Sequence, residues 1–202
     1  MHVVLCIYKG ILKKGRNCVK KRIITLPFKE EDISSLESGD NLLLSGTIFT
    51  ARDAAHKRLV DVLQSGRELP VDLKGQVIYY AGPTPAPPGK VIGSAGPTTS
   101  FRMDVYTPHL LKLGLKGMIG KGGRSLEVKE ALKKYRAVYM AAVGGAGALL
   151  SQKIISAEVV AYEDLGPEAI GKLVVEDFPA VVINDIYGRD LYEEGKNKFK
   201  IN

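Results

Sequence analysis

The sequence predicts an α/β fold with a mainly parallel sheet and a second, antiparallel layer. Through the middle of the chain, apolar segments of strand length alternate with segments whose apolar residues recur at helical spacing. Near the C-terminus, three strand-like segments follow one another without an intervening helix, which is typical of antiparallel pairing. With 202 residues and 45% hydrophobic content, the chain is long enough for one domain with a sizeable core.

The strands are predicted from continuous apolar runs bounded by turn residues, beginning with NLLLSGTIF at 41–49. A stiff proline-rich connection, PTPAPPG, joins the second and third of them. The other predicted strands are 75–82, 90–96, 116–120, 136–143, 155–163, 171–178 and 180–186.

The helices are predicted from apolar residues spaced three and four positions apart. In ARDAAHKRLVDVLQSG, the residues Ala55, Leu59 and Val62 share one face, and Gly66 provides a stop signal. The other predicted helices are 103–115 (begun or interrupted near Pro108), 124–135 and 144–154.

The net charge of +7 is concentrated in the first 22 residues, which contain seven basic residues and no acidic one. The remaining chain carries 22 residues of each sign, so the sequence divides into a basic arm at 1–22, a neutral domain at 23–190 and a polar tail at 191–202. A neutral domain does not favour nucleic acid as a partner. The apolar runs are too short to cross a membrane, and the N-terminal order of apolar and basic residues is the reverse of a secretory signal. We therefore expect a cytoplasmic protein that does not bind membranes.

Several cofactor patterns are excluded. Cys6 and Cys18 match neither a zinc site nor a disulfide framework, and two thiolates are too few for an iron–sulfur cluster. IGKGGRS lacks the upstream glycine of a P-loop and has Gly122 where Ser or Thr is required. GGAGALL has Leu150 where a dinucleotide fingerprint has its third small residue, which favours a close packing turn instead.

Cationic and hydroxyl side chains follow several predicted strands. Arg52 comes after the first apolar run, Thr98 to Arg102 come after VIGSAGP, and Lys121 comes after GMIG. Ligands of open α/β sheets bind beyond the carboxyl ends of the strands, so these loops are expected to meet at one edge. Two arginines and a lysine there favour a dicarboxylate, because guanidinium groups bind carboxylates bidentately. The alternative is that each cation is a solvated loop residue, and Thr98 alone is a poor base without an evident partner in this chain.

His56 lies one helical turn after Arg52 and shares its face. It could act as an acid, a base or an orienting group beside a ligand of Arg52, or it could be a structural histidine packed behind the site. Two nearby acids have simpler explanations. Asp53 can support the N-terminus of its helix, and Asp104 can orient Arg102 or cap the next helix.

Three segments of the sequence resemble the β subunit of class I fumarases. LLLSGTIFTARDAAHKRL, AGPTTSFRMD and GMIGKGG occur in the order seen in that subunit, in the C-terminal domain of single-chain class I fumarases and in the β subunit of L(+)-tartrate dehydratase. The resemblance covers about residues 20–190. It implies a swivelling β/β/α three-layer domain, with a mainly parallel central sheet, a second antiparallel sheet and a helical layer.

The resemblance also implies a shared active site. In this family a [4Fe–4S] cluster is held by three cysteines of an α subunit, and the active site lies between α and β. The present chain would then be half of an αβ hetero-oligomer. The implied reaction is the reversible hydration of fumarate to (S)-malate, in which a base removes the C3 proton of malate, cations stabilise the aci-carboxylate and iron accepts the hydroxide.

Family roles can be carried over to matching positions. Arg52, Arg102 and Lys121 match residues that contact the substrate carboxylates. Thr98 matches a threonine that transfers a proton together with an aspartate of the α subunit, and His56 matches a histidine suggested as catalytic. The neighbouring residues included in the substrate-binding set are Thr99 and Gly122.

Two features bear on the identity of the substrate. TARDAAHKR favours fumarase, since relatives that act on tartrate tend to carry cysteines in this segment. Phe101 stands where many fumarases have a small residue and where bulky residues occur in tartrate enzymes. We predict a fumarate hydratase β subunit. The alternatives are an L(+)-tartrate dehydratase β subunit and, from another class, a non-catalytic anion- or RNA-binding module.

Overall fold

The structure, a computed structural model, describes residues 21–200. Most of the predicted basic arm lies outside these residues, and Lys21 and Arg22 belong to the first strand. The predicted polar tail contains a helix at Leu191–Phe199, in which Asp190 accepts hydrogen bonds from the amides of Tyr192 and Glu193. These side-chain bonds satisfy amides that have no partner within the helix.

Seven strands form one mixed sheet in the order β1-β2-β3-β4-β5-β7-β6. The first five strands are joined by parallel pairings, whereas β7 is antiparallel to β2, β5 and β6. The predicted α/β class with parallel and antiparallel pairings is therefore confirmed. The strands are β1 (Lys21–Thr25), β2 (Asn41–Thr50), β3 (Val77–Tyr79), β4 (Gly117–Gly120), β5 (Val138–Ala141), β6 (Ile154–Ala161) and β7 (Ile170–Asn184).

The long strands β2 and β7 close the sheet on itself. β2 pairs with β1 and β3 along one edge and with β7 along the other, so β2, β3, β4, β5 and β7 form a ring. A register shift between Leu44 and Gly46 bends β2, and Gly46 adopts φ +123, where a Cβ would lie 2.6 Å from the Leu26 carbonyl oxygen. The irregularity lets one strand pair in two parts of the sheet.

Two sequence predictions in the sheet are wrong. The segments 171–178 and 180–186 are one strand, β7, which continues through Pro179 because its partner β2 runs alongside both halves. The segment 90–96 is a loop whose backbone hydrogen bonds go to Thr84 and Gly147 instead of to a strand: Ser94 and Thr84 exchange bonds of 2.8 and 3.1 Å, and the Ala95 amide lies 3.2 Å from the Gly147 oxygen.

Helices cover the outside of the ring and create a second core. Inside the ring, alternate strand residues such as Leu44, Tyr79 and Phe178 pack together, while the other strand face packs against α2, α3 and α4 through residues such as Leu59 and Leu132. The described helices are α1 (Glu30–Ser35), α2 (Asp53–Gln64), α3 (Thr107–Lys112), α4 (Leu126–Tyr135), α5 (Gly147–Ser151) and α6 (Leu191–Phe199).

Candidate active site

The predicted site residues lie beyond the carboxyl ends of three adjacent parallel strands. Arg52 follows β2 and immediately precedes α2, in extended conformation at φ −127. Lys121 follows β4. The segment Thr98–Arg102 enters this edge from the loop that follows β3, and Ser100–Met103 forms a 3₁₀ turn. The parallel topology is what brings three distant parts of the sequence to one edge.

Thr98 is held by both its backbone and its side chain. Its amide and its hydroxyl donate to the carbonyl oxygen of Tyr80 at 2.7 and 2.8 Å. Lys121 then donates its amide to the Thr98 carbonyl at 3.2 Å, and the Ser100 amide donates to the Lys121 carbonyl at 2.9 Å. The Thr98 hydroxyl uses its proton in the bond to Tyr80. Its oxygen still has lone pairs that can accept a hydrogen bond from another group.

The two candidate arginines meet at one carboxylate. Asp53 Oδ2 lies 3.3 Å from Arg102 Nη2 and 3.9 Å from Arg52 Nη2, and Glu168 Oε1 lies 3.6 Å from Arg52 Nη2. Charge-assisted hydrogen bonds are about 2.7–2.9 Å long, so these ion pairs leave guanidinium donors unsaturated. The other oxygen of Glu168 accepts the Ala54 amide at 2.9 Å and so caps the start of α2.

The Arg52 guanidinium packs tightly on the protein while keeping an unused donor. A Cβ at Gly82 would lie 2.6 Å from Arg52 Nη1 and 3.2 Å from Arg52 Cδ, so this side chain passes close to the Gly82 backbone. Its Nε is buried, and within residues 21–200 it has no hydrogen-bond partner. Arg102 is more open, with 46% of its side chain exposed. Among the described residues, Arg52 Nη2 also lacks a close partner, since its nearest carboxylate oxygens lie 3.6 and 3.9 Å away, and this incomplete pairing favours binding of an added anion.

Lys121, Thr99 and Gly122 are exposed at the same edge. A one-residue parallel bridge joins Thr99 to Lys121. Gly122 adopts φ +84 and its carbonyl accepts the hydroxyl proton of Tyr139 at 2.8 Å. A Cβ at Gly122 would meet nothing within 4 Å, so the backbone conformation, not space, requires glycine.

His56 is entirely buried behind Arg52. Its Nδ1 lies 2.9 Å from the Arg52 carbonyl oxygen, which can only accept, so Nδ1 carries the proton. Its Nε2 is buried with no hydrogen-bond partner in the described part of the chain, and the ring packs edge-on against Tyr80 at 5.3 Å. Burial lowers the pKa of His56 to about 4, and the positive charge of Arg124 acts in the same direction. The ring is neutral near pH 7.

Sequence reasoning missed Arg124, the most deeply buried cation near the site. Its side chain is 0% exposed, and Nε donates to Asp104 Oδ1 at 2.7 Å while Nη2 donates to Thr107 at 2.7 Å. Burial opposes its charge, but the neighbouring Tyr80 and Asp104 outweigh that effect and raise its pKa. Arginine is rarely buried, and no residue pattern around KGGRS distinguishes this one from a solvated cation.

Asp104 and Asp53 also do more than the sequence indicated. Asp104 Oδ2 accepts the Ser125 amide at 2.6 Å and its other oxygen binds Arg124, so it links the 3₁₀ turn to the start of α4. Asp53 lies in the first turn of α2, as expected for a helix-supporting acid, and in addition bridges the two arginines.

The described residues provide no metal site and no membrane span. Between residues 21 and 200, no group of three or more His, Cys, Asp or Glu side chains is arranged to hold a metal ion. Among the helices in that range, none is long and apolar enough to cross a membrane.

The sequence matches a known protein family along most of its length. Residues 10–195 match the family described as Fumarase C-terminus. Over 196 residues the chain is 43% identical to the anaerobic class I fumarate hydratase of Escherichia coli K12, a match that covers 95% of this chain and 36% of that protein. Fumarate hydratase 2 of Leishmania major is 38% identical over 166 residues, which cover 81% of this chain and 29% of that protein.

A shorter relative matches over nearly its whole length. The putative L(+)-tartrate dehydratase subunit beta of Methanocaldococcus jannaschii is 38% identical over 175 residues, which cover 84% of this chain and 90% of that protein. By contrast, the chain spans about a third of the length of the fumarate hydratases that it matches. With a family match over more than nine-tenths of its residues, this chain belongs to the fumarase C-terminus family.

Proposed function

We propose that this chain is the β subunit of a hydro-lyase that interconverts fumarate and (S)-malate together with a separate α subunit. The observation that carries the proposal is the group of incompletely paired cations at the end of the parallel strands, in a chain of the fumarase C-terminus family. The names of its relatives support hydro-lyase chemistry, and the word subunit in one of them supports a partner.

In this proposal Arg52, Arg102 and Lys121 bind the two substrate carboxylates, with Thr99 and Gly122 beside them. The substrate replaces Asp53 and Glu168 as the partner of the guanidiniums and accepts shorter hydrogen bonds from them. When a proton leaves the carbon next to a carboxylate, negative charge grows on that carboxylate. Fixed cations therefore stabilise the transition state more than the bound substrate.

We assign proton transfer to Thr98. The Thr98 hydroxyl already carries a proton, which it donates to the Tyr80 carbonyl. Its oxygen can therefore take a proton from the substrate only if its own proton leaves. A threonine cannot do this alone, because its hydroxyl is a weak base. We therefore place the stronger base on the α subunit, as the family resemblance implies.

We assign His56 a structural role. A buried neutral ring behind Arg52 does not fit direct contact with the substrate, which the sequence-based catalytic assignment would require. Its Nδ1–H holds the Arg52 carbonyl, so it fixes the backbone from which that guanidinium projects. Of the interpretations left open by the sequence, burial behind Arg52 favours the structural histidine, which acts on the site only by fixing the Arg52 backbone, over an acid or base.

The [4Fe–4S] cluster implied by the family does not fit the described part of this chain. Residues 21–200 contain no cysteine, and no other group of three metal-ligating side chains occurs in that range. Iron–sulfur clusters are held by cysteine thiolates. We therefore propose that the α subunit holds the cluster, and we assign none of its chemistry to these residues.

Exposed apolar side chains around the cations support a docking surface for that subunit. Phe101, Val105 and Val143 are 63, 68 and 70% exposed, and Phe101 adjoins Arg102 in the chain. Exposed apolar side chains grouped beside a polar site favour a protein interface over a free surface. We propose that the α subunit covers this surface in an αβ hetero-oligomer, with Phe101 contacting the subunit.

We extend the proposal to the arrangement of layers in the fold and to the location of the protein in the cell. We infer a swivelling β/β/α domain in which β1–β5 supply the parallel layer, β6 and β7 the antiparallel layer and α2–α4 the helical layer. The layers share one hydrogen-bonded sheet because β2 and β7 pair in both. We also propose that the protein works in the cytoplasm.

Anaerobic purification of the full chain from its own cells tests the proposal. We expect an iron-loaded partner rich in cysteine to co-purify, and we expect the eluate to convert malate to fumarate. Activity on L(+)-tartrate and not on malate would replace the proposed substrate with the tartrate alternative. A chain recovered alone or with RNA, inactive on both, would contradict the proposal and favour a binding module.

A further inference from the structure

A single buried cation joins the loops that carry the candidate catalytic and binding residues. Arg124 binds Asp104, which directly follows the 3₁₀ turn of Arg102, and it also binds Thr107 at the start of α3. Its third donor, Nη1, reaches the Tyr80 hydroxyl at 3.3 Å. Tyr80 is the residue whose carbonyl holds Thr98. One guanidinium therefore contacts three segments around the site.

Two tyrosine rings enclose the guanidinium. Arg124 Cζ lies 5.4 Å from the centre of the Tyr80 ring and 5.0 Å from the centre of the Tyr139 ring. Cations within about 6 Å of an aromatic face are attracted to it, and more strongly when water is excluded. The rings and the Asp104 carboxylate together compensate a charge that is out of contact with solvent.

The Tyr139 hydroxyl connects the two loops directly. It donates to the Gly122 carbonyl at 2.8 Å, so the Ser100 hydroxyl must donate to it at 2.9 Å. Ser100 belongs to the Thr98–Arg102 segment, and Gly122 directly follows Lys121. A neutral tyrosine can bridge in this way at all ordinary pH values, because burial raises the pKa of Tyr139.

We propose that Arg124 is a positioning residue, which with Tyr139 sets the distance of Thr98 and Arg102 from Lys121. It does not contact the substrate. Arg124 acts through Asp104 and Tyr80, and Tyr139 acts through Ser100 and Gly122, so that the Thr98 hydroxyl and the two cations keep one spacing before substrate arrives. Such preorganisation matters because displacements of about 1 Å can cost a large part of the catalytic rate. The effect on the reaction rests on the proposed function, whereas the effect on the loops does not.

Tyr139→Phe tests the proposal with the smallest structural change, since it removes one hydroxyl and keeps the ring beside Arg124. In the full 202-residue chain we expect amide hydrogen exchange at Ser100 and Lys121 to accelerate about tenfold, the consequence of losing one buried hydrogen bond. Those two amides report the link between the loops, because each donates across it. Tyr187→Phe, at a position that is 57% exposed, is the control for loss of a tyrosine hydroxyl elsewhere in the chain. Its hydroxyl also donates to a carbonyl, that of Ser34 at 2.6 Å, outside the site.

The same variant is then assayed in the complex with the partner subunit. We expect kcat to fall about tenfold with little change in KM when the assay is run below the melting transition of both variants, whereas Tyr187→Phe should keep the wild-type kcat. Arg124→Lys keeps the charge but loses the planar fork and should show a larger change of the same kind. If Arg124→Lys does not fold, Thr107→Val takes its place, because it removes the hydroxyl that accepts the Nη2 bond of Arg124 and leaves the Arg124–Asp104 pair intact.

Unchanged exchange at Ser100 and Lys121 in Tyr139→Phe would overturn the proposal, and so would faster exchange with an unaltered kcat. Failure of the proposed function would be seen in the activity of the wild-type complex. The wild-type complex would then not act on malate, fumarate or tartrate, while the exchange result would still report on the loops.

Discussion

Arg102 belongs to the short turn Ser100–Met103 and Arg124 binds Asp104, which follows that turn, but the protein holds the two arginines in opposite ways. Arg102 is 46% exposed and its nearest carboxylate oxygen is 3.3 Å away, whereas Arg124 is 0% exposed and makes two hydrogen bonds of 2.7 Å. The first arginine has donors free for a ligand. The second has its donors engaged by the fold. The difference lies in how many donors of each guanidinium are hydrogen-bonded by the protein, and on this ground we propose Arg102 as a binding cation and Arg124 as a structural one.

The largest expected effect concerns Thr98, which shares the open edge with Arg102. Thr98→Val keeps the shape but removes the hydroxyl, so we expect kcat to fall by about 10²–10⁴, the usual contribution of a positioned proton-transfer group. KM should change little, since the carboxylate-binding cations remain. Steady-state kinetics of the complex measures both. Thr47→Val, in the middle of β2, is the control, and an equal loss in both variants would remove Thr98 from the reaction.

Removal of the buried cation should affect stability first. Arg124→Met leaves Asp104 buried without its charged partner, which typically costs roughly 3–5 kcal/mol. Arg102→Met should change the free energy of unfolding by no more than about 1 kcal/mol, because its ion pair is exposed. Urea unfolding of the two variants gives the comparison directly. Equal losses would show that the two arginines are held alike.

His56 should make stability depend on pH. Its folded pKa of about 4 lies below the ordinary 6.5, so the unfolded chain binds more protons between these values and stability rises with pH across that window. Between pH 7 and pH 5 we expect wild type to lose about 2 kcal/mol through this residue. Arg124 and Asp53 are the charged groups that act on the ring, in opposite directions.

The measurement is urea unfolding of wild type and His56→Asn at pH 5 and pH 7. The amide can still donate to the Arg52 carbonyl but does not titrate, so the variant should lose about 2 kcal/mol less than wild type on acidification. An identical slope in His56→Asn and wild type would contradict a buried, neutral His56.

The smallest expected effect concerns the acid that bridges the two open arginines. Asp53→Asn removes a negative charge that competes with the substrate for Arg52 and Arg102. Exposed ion pairs contribute about 0.2–1 kcal/mol, so KM should fall by up to about fivefold at low salt while kcat is kept. Asp61→Asn, at an exposed position on the same helix, should leave KM unchanged. A rise in KM in Asp53→Asn would show that Asp53 orients the arginines more than it competes for them.

Much of the fold and the location of the candidate residues could be predicted because they follow from periodicity and topology. Apolar runs revealed β2, β4 and β5, and parallel pairing then required Arg52 and Lys121 to emerge at one edge. The continuity of β7 could not be predicted, since Pro179 interrupts the pattern and only the partner strand carries the pairing through. The loop at 90–96 has strand-like composition but forms its hydrogen bonds with Thr84.

The burial of polar residues near the candidate site also could not be predicted from the sequence. His56 and Arg124 have ordinary sequence neighbours, and their burial results from tyrosines that arrive from β3 and β5. Those contacts join positions up to 44 residues apart. Short-range spacing cannot encode them, because it reports which face of an element a residue occupies and not what packs against that face.

The central claim, that the open cations bind the substrate, is tested most directly by the hydration rate of fumarate in the complex carrying Arg102→Ala. Arg67→Ala is the matched control, because Arg67 lies beyond the far end of α2, about 18 Å along the helix from Arg52. We expect kcat/KM to fall about a hundredfold or more in Arg102→Ala, as for loss of one anion-stabilising donor, and to stay at the wild-type value in Arg67→Ala. Wild-type turnover in Arg102→Ala would contradict the claim.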